Sequence, residues 1–342
     1  MTPRVLVTGG AGYIGSHACK ALASAGFLPV AFDDLSRGHA SAVKWGPLVH
    51  GSLLDAEALA DVVAVHRPVA VLHFAGLAYV GESVEDPLAY YRTNVCGSMV
   101  LVDAVRAHGG PPIVFSSSCA VYGVSAAGVI DEQHPRAPIN PYGRSKNMVE
   151  CLLRDCEPAY GLRSVCLRYF NCAGADPEGE LGEDHDPEPH IIPRILAAAA
   201  GETGAFDIYG GDYPTPDGTA VRDYVHVSDL AAAHVAALRY LLDGGDSLAL
   251  NLGIGRGYSV REVVGAGERV TGRRIRTQVR DRRPGDPPIL VASPGLARAV
   301  LGWQARYDDL DDMIATAWAW RCRRSADARR APAADRTSSN VA

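Results

Sequence analysis

Along the first half of the chain, short apolar runs alternate with stretches whose apolar residues recur at helical spacing. Runs rich in Val, Leu and Phe occupy Arg4 to Val7, Leu28 to Phe32, Val69 to Phe74, Ile113 to Phe115 and Ser164 to Tyr169. None alternates strictly between apolar and polar residues, as expected of strands covered on both faces. Ile14 to Ala25 and Tyr90 to Ala107 read as helices between them. This β–α alternation predicts an α/β fold built on a Rossmann-type, doubly wound parallel sheet.

After Asn171 the texture changes. Residues 174–190 and 209–220 are rich in Gly, Pro and acidic side chains and read as long loops, which in a compact domain tend to carry function. Residues 1–171 are expected to form the dinucleotide-binding domain. A smaller, discontinuous α/β substrate lobe is expected over 172–320, with a segment near 221–255 returning to the first domain. Residues 323–342 are rich in Arg, Ala and Ser without apolar periodicity, and disorder is expected there.

Composition narrows the classes. The 342 residues are 47% hydrophobic and 21% charged, enough for one large domain or two with separate cores. A net charge of −6 leaves no nucleic-acid footprint. No apolar run nears the roughly 20 residues of a membrane helix. Met1-Thr2-Pro3-Arg4 leads into a strand pattern without the layout of a secretory signal. The eight cysteines include no C-x-x-C pair, so free thiols, no metal site and a cytoplasmic location are expected.

Candidate chemistry begins at Gly9-Gly10-Ala11-Gly12-Tyr13-Ile14-Gly15, between the first strand and the first helix. Glycines at 9, 12 and 15 let the backbone turn tightly and approach a pyrophosphate, while the helix N-terminus offers free N–H groups. The second strand ends in Asp33-Asp34. A carboxylate there accepts from ribose hydroxyls and repels a 2′-phosphate, which favours NAD over NADP. Arg37 is the one nearby side chain that suits a 2′-phosphate instead.

Tyr142-Gly143-Arg144-Ser145-Lys146 places a phenol and an ammonium four residues apart on one helical face, behind an Asn140-Pro141 cap. Ser116-Ser117-Ser118 follows the strand ending at Phe115, at the end that faces the ligand crevice. A tyrosine near pKa 10 is a poor base at neutral pH, and lowering it by about three units takes roughly 4 kcal/mol. A lysine ammonium, a cationic nicotinamide ring and a serine hydroxyl in a water-poor crevice can supply that.

With a phosphate turn, an acidic strand end, a serine run and Y-x-x-x-K in this order, residues 4 to about 305 resemble the extended short-chain dehydrogenase/reductase superfamily. Within it, they resemble the UDP-glucose 4-epimerase family. The specific segments are Thr8 to His17, His73 to Leu77, Phe115 to Ser118, Leu167 to Asn171, Tyr209 to Thr215, Asp217 to Val227 and Arg283 to Asp286. The resemblance implies NAD contacts at Gly9, Gly12, Tyr13, Ile14, Gly15, Asp33, Asp34, Leu35, Ser36, Arg37, Gly38, Ser52, Leu53, Phe74, Ala75, Gly76, Leu77, Asn94, Ser116, Lys146 and Tyr169. It implies catalytic roles for Ser118, Tyr142 and Lys146. It implies nucleotide-sugar contacts at Ser118, Tyr142, Asn171, His190, Ile191, Tyr209, Arg222, Arg283 and Asp286. Arg222 and Arg283 suit a diphosphate, and Tyr209 suits a nucleobase.

The implied reaction is reversible C4 inversion of a UDP-hexose through a 4-keto sugar, in a homodimer with tightly held NAD. Ala78 stands where the family often has lysine, and Ser52 where an Asp often meets adenine; both point to a variant cofactor contact set. The Ala78 to Ser83 wording also recurs in exopolysaccharide-type and UDP-arabinose (UDP-xylose) 4-epimerases. Leu290 lies where access for N-acetylated sugars is tuned, so the sugar stays open. A related 4,6-dehydratase would carry Asp-Glu after Ser118, where this chain has Cys119-Ala120. A silent nucleotide-sugar-binding regulator is disfavoured by the intact Ser118, Tyr142 and Lys146.

Overall fold

The computed structural model describes residues 2–124, 128–283 and 286–330, the side chains of 327–330 excepted. Pro284 and Gly285, and the tail beyond Arg330, lie outside the described residues.

Seven parallel strands form the main sheet. Their order is Leu248–Leu252, Ser164–Tyr169, Ile113–Ser118, Ala70–His73, Arg4–Thr8, Leu28–Asp33 and Leu48–His50. Within the first strand Val5 and Val7 face one core, with Ala18, Cys19 and Leu22 of helix Tyr13–Ser24 and Leu230, Leu238 and Leu241 of helix Val227–Leu242. Leu6 faces the other, against Leu59, Val62 and Val63 of helix Ala56–His66 and Leu101 and Val105 of helix Gly97–Ala107. Both faces of the sheet are buried, which is why the strands read as near-continuous apolar runs. The order turns back at Arg4–Thr8, so the crevice at its C-terminal end is the topological switch point.

Three expectations need correction. The serine run does not follow its strand but belongs to it. Ser116, Ser117 and Ser118 pair with Leu167, Arg168 and Tyr169, and their hydroxyls are satisfied by neighbouring side chains. The helix expected over Tyr90 to Ala107 is broken: a π-helical stretch, Tyr91–Cys96, joins Pro87–Tyr90 to Gly97–Ala107. Finally, residues 323–330 are not disordered but continue helix Leu310–Arg330. That extension lacks apolar periodicity because its basic residues bind an acidic loop instead of a core. Arg323 donates to the Glu178 carbonyl, and Arg324 pairs with Asp184.

A second sheet sits beyond the crevice. Val221–His226 pairs antiparallel with Gly257–Ser259 and parallel with Ile289–Ala292 and Asn171–Ala173. Phe206–Tyr209 and Thr277–Arg280 form a separate two-stranded piece. Ile192, Ile195, Leu196, Phe206, Val263, Met313 and Ile314 make the core of this region. Helix Val227–Leu242 and strand Leu248–Leu252 return to the main sheet, whereas Val221–His226 stays with the second.

Candidate active site

The glycine turn is built by close approach. Gly9 has φ +73°, and a Cβ on it would lie 2.6 Å from the Ala75 nitrogen; a Cβ on Gly15 would lie 2.1 Å from the Gly9 carbonyl oxygen. Internal packing therefore requires both. A Cβ on Gly12 would meet only the Gly9 oxygen, at 3.4 Å, so the fold itself leaves room there. Gly12 caps the helix with no side-chain bond, and the first turn carries no acid. Its N–H groups lack intrahelical partners, the arrangement a pyrophosphate fits.

Asp33 is buried at its strand end. Its carboxylate accepts from the Ala11 N–H at 2.9 Å and the Leu35 N–H at 2.8 Å. These bonds fix the glycine turn to the second strand and still leave lone pairs for ribose hydroxyls. Asp34 accepts from Ser36 through both its N–H and its hydroxyl. Gly38 has a packing reason, since a Cβ would lie 2.8 Å from the Ala11 backbone. Arg37 is engaged by Glu82 at 2.6 Å and lies 5.0 Å over the Tyr79 ring, so it is not held ready for a 2′-phosphate.

On the other side of the crevice, Asn94 projects from the π-helical stretch into the loop after Ala70–His73. It accepts from the Leu77 N–H at 2.8 Å and donates to the Leu77 carbonyl at 3.0 Å and to the Ser145 hydroxyl at 2.9 Å. Gly76 is obligatory, because a Cβ would fall 2.9 Å from the Asn94 oxygen. Asn94 thus sets the path of Phe74 to Leu77 and ties it to the helix that carries Tyr142. Ser52 accepts from the Leu54 N–H at 3.3 Å, and Leu53 packs in the core against Gly97. Tyr13 sends its hydroxyl across to the Gly174 carbonyl at 2.6 Å, linking the two sheet regions.

Helix Pro141–Tyr160 starts where Asn140 accepts from the Gly143 N–H at 2.8 Å. Tyr142, one turn before Lys146, hydrogen-bonds the Ser118 hydroxyl. Lys146 Nζ donates to the Ser116 carbonyl at 2.8 Å and lies 5.9 Å from the centre of the Tyr142 ring. Burial pushes the Lys146 ammonium down to about 8. Burial pushes the Tyr142 phenol up to about 12, partly opposed by the bond from Ser118. Ser116 hydrogen-bonds Tyr169 across the parallel pair. Ser116, Ser118, Tyr142, Lys146 and Tyr169 therefore meet at one strand end.

The expected sugar-nucleotide residues fall into three groups. Tyr209 and Arg283 stack, with the guanidinium 4.0 Å from the ring centre. Arg222 faces Asp286 at 3.5 Å. His190 caps helix Ile191–Ala200, and Asn171 opens the strand beside Tyr224. Leu290 lies in a small apolar cluster with Cys119, Val121, Tyr122 and Phe170, directly after the Ser118 strand.

Some supporting residues were not legible beforehand. Behind Ser118, Ser117 donates to Glu150, which is held by Arg168 through two bonds of 2.9 and 2.6 Å. Arg168 also donates to the Tyr122 hydroxyl at 2.8 Å, which donates to Asn251 at 2.7 Å. The available signal was Arg168 itself, a charge inside an otherwise apolar strand, which needs a buried partner. Asp223 accepts from the Ile254, Gly255 and Ala292 N–H groups; burial still pushes it up to about 6.

A glycine turn that opens a helix beside a phenol, a lysine and a serine is the arrangement of a dinucleotide-dependent oxidoreductase-type site, and the second sheet region carries Arg222 facing Asp286 and Arg283 stacked on Tyr209. The NAD dependent epimerase/dehydratase family matches residues 5–253, and the chain belongs to that family. It is similar to UDP-glucose 4-epimerase from Rhizobium leguminosarum bv. trifolii, with 52% identity over 319 residues, 93% of this chain and 97% of that one. Among solved structures, UDP-glucose 4-epimerase from Brucella ovis in complex with NAD is 54% identical with a TM-score of 0.91, covering 93% and 98% of the two chains. UDP-glucose-4-epimerase from Stenotrophomonas maltophila, with bound NAD and formylated UDP-arabinopyranose, is 42% identical with a TM-score of 0.91, covering 96% and 100%. No helix among the described residues is long and apolar enough to cross a membrane.

Proposed function

We propose that this chain catalyses the NAD-dependent, reversible inversion at C4 of a UDP-hexose, interconverting UDP-glucose and UDP-galactose through a 4-keto sugar. What carries this reading is the meeting of the Tyr142 phenol with Ser118, 5.9 Å from Lys146 and beside the glycine turn's crevice. NAD, which the glycine turn and Asp33 would hold, would supply a reversible hydride acceptor for C4, so that the reaction involves no net oxidation. The Tyr142 phenolate takes the proton of the 4-hydroxyl, and the phenol gives a proton back to the inverted oxygen. Ser118 steadies the reacting oxygen. Lys146 favours the phenolate and reaches the cofactor ribose; such acid–base help is worth about 10²–10⁴-fold.

Asp33 holds the adenosine ribose, and Gly12, Tyr13 and Ile14 the pyrophosphate. Arg222, Arg283, Tyr209, Asn171, His190, Ile191 and Asp286 hold the nucleotide of the substrate. A firm clamp at that end lets the sugar turn without leaving. Residues 1–171 act as the NAD-binding unit and 172–320 as the substrate lobe, with helix Val227–Leu242 and strand Leu248–Leu252 shared back to the first. Eight free cysteines suit a cytoplasmic protein. Exposed Leu88, Met99 and Met148 on neighbouring helices suit a homodimer, which light scattering checks.

Product NMR on a panel of UDP-sugars tests the reading. Interconversion of UDP-glucose and UDP-galactose with NAD retained is the expected result. Preference for UDP-arabinose or UDP-N-acetylgalactosamine would move the assignment to those sugars, and binding without turnover of any of them would overturn it.

A further inference from the structure

Thr8 and His73 pair in register at the C-terminal ends of Arg4–Thr8 and Ala70–His73. The Thr8 carbonyl accepts from the Phe74 and Ala75 N–H groups at 2.9 and 3.0 Å, so the loop Phe74 to Leu77 departs from this point. The side chains continue the connection. The Thr8 hydroxyl lies 2.7 Å from His73 Nδ1, and His73 Nε2 lies 2.8 Å from the Ser98 hydroxyl. Ser98 donates to the Asn94 carbonyl at 2.5 Å. The Asn94 amide donates to the Ser145 hydroxyl at 2.9 Å, and Ser145 donates to the Tyr142 carbonyl at 2.8 Å. A polar chain thus runs from the strand before the glycine turn to the helix that carries Tyr142. Thr8, His73, Ser98, Asn94 and Ser145 are each at most 3% exposed, so solvent offers no link an alternative.

The donors fix the direction of every link. A hydroxyl has one proton, and Ser98 directs its own to a carbonyl, which can only accept. His73 Nε2 must therefore donate to Ser98. A neutral imidazole has one N–H, so Nδ1 must accept from Thr8. Burial, followed by the Lys146 ammonium, pushes the ring down to about 3 and keeps it neutral. At the far end, a serine that bonds the carbonyl four residues back bends its helix. Here the helix departs from α geometry in the π-helical Tyr91–Cys96 that presents Asn94. Apolar side chains at 8, 73 and 98 would fill the same space with no polar group left to satisfy. A bridge with an acceptor at one edge and a donor at the other, ending on the π-turn, points to placement of that turn.

We propose that His73 is a positioning residue. By bridging Thr8 to Ser98 it holds the π-turn of Asn94, and so sets the Tyr142 helix against the loop Phe74 to Leu77. The inference rests on the epimerase reading for its kinetic readout alone.

The test uses full-length protein with its NAD bound. Nitrogen-15 NMR of wild type, with His73 assigned by its loss in His73→Gln, should show a bare Nδ1 and a protonated Nε2 that do not titrate across the neutral range. His73→Asn keeps an acceptor for Thr8 but falls short of Ser98, and Ser98→Ala removes the same link from the other side. Each should lower kcat per bound NAD roughly tenfold to a hundredfold with little change in KM. The double variant should lose no more than the larger single loss, because both changes break one link. His73→Gln, whose amide reaches Ser98, should recover most of kcat. A bond that serves stability alone would lower Tm and leave kcat per NAD-loaded site unchanged. That result in Ser98→Ala, additive losses in the double variant, equal losses in His73→Asn and His73→Gln, or an Nδ1–H or titrating ring in wild type would each overturn the proposal. Should His73→Asn fail to fold, Ser98→Ala carries the kinetic arm. Absence of turnover in wild type would sink the epimerase reading instead, and the ring tautomer would still test the bridge.

Discussion

Glu150 and Arg168 form a buried, two-pronged ion pair, with Arg168 Nε 2.9 Å from Glu150 Oε1 and Nη2 2.6 Å from Oε2, directly behind the Ser116–Ser118 strand end. Their side chains are 3% and 6% exposed, and Arg136 reaches the same carboxylate at 3.2 Å. Removing one partner leaves an uncompensated buried charge, which costs about 3–5 kcal/mol. Glu150→Gln should therefore lower unfolding stability by about that amount in urea, since two guanidinium groups then lack their counterion. Arg168→Met should cost less, because Arg136 still faces Glu150. Equal, small losses for both would remove the pair as a support of the site.

The contrast between what was readable and what was not has physical causes. The glycine turn was legible because close approach of backbone to backbone at Gly9 and Gly15 excludes every other residue. Tyr142 and Lys146 were legible because one helical turn forces their shared face. Gly38 was assigned to cofactor contact, yet its position against Ala11 already demands glycine. The strands Val129–Ile130 and Asn171–Ala173 were missed because two or three residues carry no period, and their pairing is with distant segments. The π-helical stretch Tyr91–Cys96 hid inside a helical pattern, yet it presents Asn94 to the loop at Leu77. Such bulges recur at functional sites.

Tyr142→Phe isolates the phenol oxygen. The ring still fills its place and Lys146 keeps its bond to the Ser116 carbonyl. Bound NAD, released by denaturation and measured by absorbance, should be unchanged. The kcat for epimerisation should fall about 10²–10⁴-fold. An unchanged kcat would take Tyr142 out of the chemistry, and loss of NAD would make the variant uninformative about it, so cofactor content is measured on the same sample.

Glu82→Gln tests the role of Arg37 in cofactor choice. Glu82 holds the guanidinium at 2.6 Å and also accepts from the Tyr90 hydroxyl at 3.0 Å. Both side chains of the pair are about a third exposed, so the pair is worth about 0.2–1 kcal/mol. Freed from it, Arg37 should improve NADP binding relative to NAD by at most about fivefold, leaving the Asp33 carboxylate as the dominant barrier. Competition binding to cofactor-free protein reads the ratio. A much larger gain would mean that the ion pair, and not Asp33, sets the preference.

Lys146 predicts a pH dependence with a definite sign. Burial alone lowers its pKa from 10.5 to about 8 in the cofactor-free fold. Between those values the unfolded chain holds a proton that the folded chain lacks, so this group adds stability as pH rises from about 8 to 10.5. The same contribution is lost as pH falls through 8. The full difference is about 3 kcal/mol, at roughly 1.4 kcal/mol per pKa unit. Lys146→Met lacks this group, whereas the tyrosines and cysteines that also titrate in that range are common to both proteins. Subtracting the urea stability of the variant from that of wild type at each pH should give a difference that climbs by about 3 kcal/mol over the window. A flat difference would mean that the Ser116 carbonyl and the surrounding crevice solvate the ammonium as well as water does, and Lys146 would then enter the reaction fully charged.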